Sequence, residues 1–397
     1  MGYDSKDLQI ELAAPPRWRY AAGDTVIGHV TRSAHIVSPD ACVKLTLIGR
    51  LKTKFYKERS LLKGSQKFCS RWHLWTPEPK ILFHGPLHLP KTKPATQHPS
   101  IADGHSQEES FLSLNAKSVE NQPLPGSYRS RYDGLGTSYE TFVEYYLEAE
   151  LSYISRGTRK SVRASHLIIL NHPVASISNR GDFTRQYKIG TALHNGRLRS
   201  DSREKSATLG KNQQRLFGLR NPANGVYIVE VSSPRVIQLN DPVPFAFMIK
   251  IFPEIDPFNT VLKSGPAKTR LNSVNLSLQT QAQFCATSVS GPQSSDHYFV
   301  QDFELGKEFR RSKDVPILSN QSKYYEVDIG SIFQLSLAPG GLYVGGRLHR
   351  TSPEIYPDFV TYNVKHANSL LWKISITVAE KTYVLQDCSP LTILAPS

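Results

Sequence analysis

The chain has 397 residues, a hydrophobic share of 39%, a charged share of 21% and a formal charge of +14. That length suits about two or three domains with ample sequence for large cores, and the composition excludes collagen-like and low-complexity classes. No apolar run approaches the roughly 18 residues a membrane-spanning helix needs. The opening MGYDSKDL has no apolar signal core, and Lys6 stands where myristoylation wants Ser or Thr. The expectation is a cytoplasmic protein. Cys42, Cys69, Cys285 and Cys388 lie far apart without a CxxC pair, as expected of thiols in a reducing compartment.

In chain order, DLQIEL places Leu8, Ile10 and Leu12 on one face of a strand. YAAGDTVIGHV (20–30) poses a choice between a ligand-holding glycine loop and a turn that launches a strand. Neither the three-glycine dinucleotide fingerprint nor a terminal Gly-Lys-Ser/Thr is present. The residues therefore predict a turn: Gly23 takes φ > 0, Asp24 bonds its own downstream backbone, and Thr25 to Val30 run as a strand. Gly28 marks a bulge or a close approach of another backbone. CVKLTLIG alternates Val43, Leu45 and Leu47 against Lys44 and Thr46. VEYYLEAELSY alternates without a break, with Val143, Tyr145, Leu147, Ala149, Leu151 and Tyr153 on one face. Further strands are predicted at Tyr227–Val231, Phe245–Ile251, Val274–Leu278 and Trp372–Val378, and short accessory helices near Ser106–Val119.

Apolar-in, polar-out alternation is the mark of antiparallel sheets packed face to face. The fold class expected is all-β, with two tandem immunoglobulin-like β-sandwiches. The first spans 5–172 with an insertion of low order at about 91–130. A basic linker follows at 173–223, and the second sandwich spans 224–395.

The charge is concentrated. Arg50 to Lys80 carries nine Lys/Arg against Glu58 and Glu78; Arg180 to Arg220 carries ten against Asp182, Asp201 and Glu204. Each segment is +7, which leaves the rest of the chain neutral. Arg50, Lys52 and Lys54 alternate along an extended chain, and Lys57, Arg59 and Lys63 continue the charge into the next loop. Two readings stay open: a surface for acidic partners or anionic lipid, or an edge blunted against aggregation by its lysines. The second basic segment reads either as a flexible linker or as a polybasic tether. Nucleic acid is not expected, because neither segment interleaves aromatics regularly and no zinc or helix-turn-helix pattern appears.

Catalytic signatures are not found. The thirteen histidines form no HExxH or Cys/His cluster, and Gly85-Pro86 separates His84 from His88. GxSxG is absent, DGLGTS lacks a third glycine at Tyr139, and GGLYVGG (340–346) reads as turn punctuation. Glu148 and Glu150 are the polar side of a strand. No catalytic, cofactor-binding or metal-binding residue is assigned, no cofactor is expected, and the protein is read as a non-enzyme.

Taken together, IEL (10–12), YAAGDTVIGHV, CVKLTLIG, LFHGPLHLP (82–90), LPGSY (124–128) and FVEYYLEAEL (142–151) resemble, in order and composition, the N-terminal domain of arrestin-like proteins. PFAFMIKIFP, the strand at Val274 and LLWKISITV…SPLTIL are similar in order to the C-terminal domain, and the mix looks most like the fungal, α-arrestin-like branch. The resemblance implies an adaptor in membrane-protein trafficking at the plasma membrane or endosomes. Such an adaptor binds cytosolic parts of transporters or receptors and recruits a WW-domain ubiquitin ligase through PPxY motifs. This chain departs from that pattern: Pro15-Pro16 is followed by Arg17-Trp18, LPGSY is one residue too long, and SPEIY has Glu354 at the second proline position. An arrestin-fold sorting-coat subunit without a ligase is the alternative, and a sandwich-scaffold hydrolase the third reading.

Overall fold

The computed structural model describes residues 7–38, 40–58, 65–75, 80–81, 87–88, 110–112, 123–134, 137–174, 182–193, 225–254, 269–288, 291–311, 325–378 and 381–396. The chain is all-β; among the described residues the two helices are short, Leu305–Arg311 and Ile329–Phe333. It divides into two compact units. The first comprises Met1–Ala175 with Gln281–His297 and Pro357–His366; the second comprises Ser176–Thr280, Tyr298–Tyr356 and Ala367–Ser397.

In the first unit, the strand Thr137–Ser155 is flanked on one edge by Cys42–Glu58 and on the other by Thr158–Leu170 and Tyr128–Gly134, all antiparallel. Ser65–Trp75 pairs with the far edge of Cys42–Glu58. The eleven-residue alternation read from sequence is the burial pattern of the central strand: Val143, Tyr145, Leu147, Ala149 and Leu151 are buried, and Tyr153 is half-buried. Leu8, from Leu8–Leu12, joins Ala149, Leu151 and Ala164 in one cluster, with Ile10, Val30 and Val43 packed against it.

The turn at 20–30 forms as expected, with three refinements. Gly23 has φ +94°. Asp24 bonds backwards rather than forwards, its Oδ2 accepting the Ala21 N–H at 2.7 Å. The strand is two pieces, Thr25–Val26 and Gly28–Arg32, because the chain changes partner at Ile27: the first piece pairs with Leu87–His88 and the second with Leu8–Leu12. A Cβ on Gly28 would lie 2.4 Å from the Glu11 carbonyl oxygen, so the close approach anticipated there is to that backbone.

The second unit has a four-stranded antiparallel sheet ordered Phe183–Leu193, Gly225–Pro234, Met248–Glu254, Tyr325–Asp328. Phe183–Leu193 lies within the 173–223 segment read as linker. Phe245 precedes its strand rather than starting it, its N–H bonding the Leu335 carbonyl at 2.9 Å. Val364–Val378 pairs antiparallel with Lys381–Leu394, to which Val236–Gln238 adds in parallel. Val229, Val231, Leu271, Ile374 and Ile376 belong to one continuous apolar cluster and are fully buried. Each such side chain contributes about 1.5–3 kcal/mol by leaving water. Both helices are shorter than a readable 3.6-residue stripe. The helix Ile329–Phe333 is started by Asp328, whose side chain accepts the Ser331 N–H. Of 106–119, where helices were expected, only 110–112 are described, and these are not helical.

Candidate functional site

The basic strand Cys42–Glu58 and the central strand Thr137–Ser155 turn their polar residues to the same outer face, since side chains alternate and the two run in register. Cross-strand partners therefore form rows. Lys54 faces Glu140, which faces Arg131; Lys52 faces Phe142, which faces Arg129; Arg50 faces Glu144. Further along, Ile48, Tyr146 and Leu167 make an apolar row, and Lys44, Glu150 and Arg163 repeat the cation–carboxylate–cation order.

The cations predicted to receive acidic partners are thus set among carboxylates. The Arg50 guanidinium is hydrogen-bonded to the Glu144 carboxylate and lies 5.0 Å from the Tyr146 ring centre. Lys54 Nζ is 3.8 Å from Glu140 Oε2, and Arg129 reaches the same carboxylate at 3.2 Å. Lys52 Nζ sits 5.7 Å over Phe142. Arg163 spans Glu150 at 3.3 Å and Glu148 at 3.9 Å, so these two glutamates are ion-paired as well as solvated. The Arg50 and Glu144 side chains are 26% and 24% exposed, within reach of solvent screening. Lys57 is the strand's penultimate residue, with its side chain outside the described residues, and Arg59 and Lys63 also lie outside them. Of the second basic segment, 182–193 is described; there Lys188 pairs with Asp387.

On the opposite, buried face of this sheet two phenols are displaced in protonation. Burial pushes the Tyr139 hydroxyl up to about 12, against a hydrogen bond from Ser130 that lowers it, and burial raises Tyr145 strongly. Tyr145 donates instead to the Pro125 carbonyl.

Elsewhere, a cavity of about 140 Å³ in the second unit is lined by Phe183, Pro234, Ile237, Val243 and Phe245, with Asp241 the one titratable wall residue among the described residues. Among the described residues, no group of three or more His, Cys, Asp or Glu gathers to hold a metal, and no helix is long and apolar enough to cross a membrane. His84 lies outside the described residues.

Sequence reasoning found the cations but not their partners. Glu144 was legible as an outward residue of the alternating run 143–153, and Glu140 lies before that run; which cation each meets depends on cross-strand register. Neither a family model nor a curated protein matches the chain.

Proposed function

We propose that the protein is a non-catalytic adaptor in membrane-protein trafficking, built as two immunoglobulin-like β-sandwiches on an arrestin-like plan. It binds cytosolic parts of transporters or receptors and links them to ubiquitin-dependent endocytosis. The observation that supports this reading most is local. Four of the segments that carry the resemblance correspond to strands: Leu8–Leu12, Gly28–Arg32, Cys42–Glu58 and Thr137–Ser155. The last two are the paired centre of the first unit's sheet.

Docking on this reading is electrostatic and short-ranged, and weakens as salt rises. Arg50, Lys52 and Lys54 lead it together, Arg50 and Lys54 exchanging Glu144 and Glu140 for an incoming acidic group. Lys57, Arg59 and Lys63 follow in the chain and extend the same charge. With no intact PPxY in the sequence, a WW-domain ligase is reached through a degenerate site or another chain. That same absence favours, as a second reading, a sorting-coat subunit that recruits no ligase.

Crosslinked affinity purification from native cells, with mass spectrometry of what is bound, separates the two. Polytopic transporters recovered with a WW-domain ubiquitin ligase are the expected result. A single stoichiometric coat complex without a ligase contradicts the adaptor and selects the coat subunit.

A further inference from the structure

Turn tips face water as a rule, because irregular backbone carries polar groups that need partners. The turn Thr361–Val364 departs from that rule, with all four residues at most 1% exposed. It closes on itself: the Thr361 N–H donates to the Val364 carbonyl at 2.7 Å, and the Val364 N–H to the Thr361 hydroxyl at 3.0 Å.

Three more of its polar groups find partners within the first unit, while Asn363 Oδ1 is buried without one. The Phe111 N–H donates to the Tyr362 carbonyl at 2.7 Å, and the Cys285 N–H to the Asn363 carbonyl at 3.0 Å. Asn363 Nδ2 donates to Thr53 Oγ1 at 3.1 Å, which is 3.0 Å from Thr141 Oγ1. Thr53 and Thr141 are cross-strand partners in a face otherwise apolar at Leu51, Phe55 and Val143, and Asn363 reaches them across 310 residues of sequence.

The flank of the turn is aromatic and carries two imidazoles. Phe359 pairs in register with His366, and their rings lie parallel within 4°. Tyr128 packs edge-on against both, at 4.9 and 5.4 Å, and His172 lies 5.2 Å from Phe359. His172 Nδ1 accepts the Gly126 N–H at 3.2 Å, so its neutral proton sits on Nε2, which is buried without a partner. A second proton on Nδ1 would oppose that N–H.

We propose that Pro357–His366 is an acid-released strap: the neutral imidazoles of His172 and His366 keep it seated on the Thr53–Thr141 face, and their protonation lifts it. The reading is independent of the adaptor function.

Burial pushes His172 down to about 3, with His366 and Arg19 adding repulsion. Burial likewise pushes His366 down to about 4, against a bond to the Pro357 carbonyl that raises it. Arg19, from the Arg19–Tyr20 strand, the Tyr128 phenol and the imidazoles themselves face the pair; Asp358 and Lys365 adjoin it along the strap. Because both values fall below the ordinary 6.5, the lifted strap takes up protons first as pH drops. Each imidazole then shifts the lifted-to-seated ratio by up to about tenfold per pH unit below 6.5.

The test is hydrogen exchange on the full chain from pH 7.5 to pH 5, each rate divided by its intrinsic rate at that pH. Protection across 357–366 is expected to fall by about 30-fold between pH 6.5 and 5.5, both imidazoles acting. Protection across 370–376, in the second unit's core, is expected to hold. In the double variant His172→Asn, His366→Phe the strap's protection becomes flat with pH. If that variant fails to fold, His366→Phe alone is expected to reduce the slope to that of one imidazole. A strap whose protection is flat in the natural sequence overturns the proposal. So does a strap that loses protection together with 370–376, or a folded variant with an unchanged acid response.

Discussion

The interiors of the two units meet their polar groups differently. In the second unit the apolar cluster carries an amide clamp: Gln186 Oε1 accepts from Trp372 Nε1 at 2.8 Å and from Ser389 Oγ at 2.9 Å, and its Nε2 donates to the Cys388 carbonyl at 2.9 Å, while the Tyr227 hydroxyl is buried without a partner. None of these groups titrates near neutrality. In the first unit the seat of Pro357–His366 holds two threonine hydroxyls, an asparagine and two imidazoles, and both His172 Nε2 and Asn363 Oδ1 are buried without a partner. An apolar core with a satisfied clamp is indifferent to mild acid; a polar seat is specific, and depends on every partner and on protonation state.

The largest way to break this comparison is Trp372→Ala. It removes a buried aromatic, 2% exposed, together with the donor to Gln186, and is expected to cost about 3–5 kcal/mol in a denaturant titration following the second unit. Asn363→Leu is expected to cost about 1–3 kcal/mol by taking from the buried Thr53 hydroxyl the donor that Asn363 supplies. That loss should appear as faster exchange of the strap while 370–376 stays protected; equal loss in both would show that the seat is not local.

Acid sharpens the contrast further. Both imidazoles have lowered folded values, so their contribution is complete above the unfolded value of about 6.5. It is lost as pH falls, down to about 4 for His366 and about 3 for His172. The expected slope approaches about 1.4 kcal/mol per imidazole per pH unit in the middle of that window, about pH 5. The smallest effect belongs to the outer face. Arg50→Glu opposes Glu144 at a site about a quarter exposed, and stability is expected to change by no more than about 1 kcal/mol. A larger loss would mean that the row of ion pairs holds the sheet together.

Local patterns carried much of the fold. The alternation from Val143 to Tyr153 needed only period-2 counting, and the Gly23 turn only the conformational freedom of glycine. Asp24 was harder, since a short acceptor reaches N–H groups on either side and the sequence does not say which. The helix Leu305–Arg311 buries Leu305 and Phe309 within seven residues, too few for a stripe to show. The strap left no local trace: PDFVTYNVKH reads as a polar strand end, and only tertiary contact with Thr53 and Tyr128 makes Asn363 and His366 interior. The candidate site was half legible. The cations declared themselves by count and spacing, whereas their neutralisation by Glu140 and Glu144 required the register.

The most direct test of the adaptor reading is the affinity of the purified full chain for an acidic, multiply phosphorylated peptide, followed by fluorescence anisotropy as salt rises through physiological strength. The expected result is binding that weakens steadily with salt and falls for both Lys52→Glu and Arg50→Glu. No binding at low salt, or binding indifferent to both salt and Lys52→Glu, would contradict it.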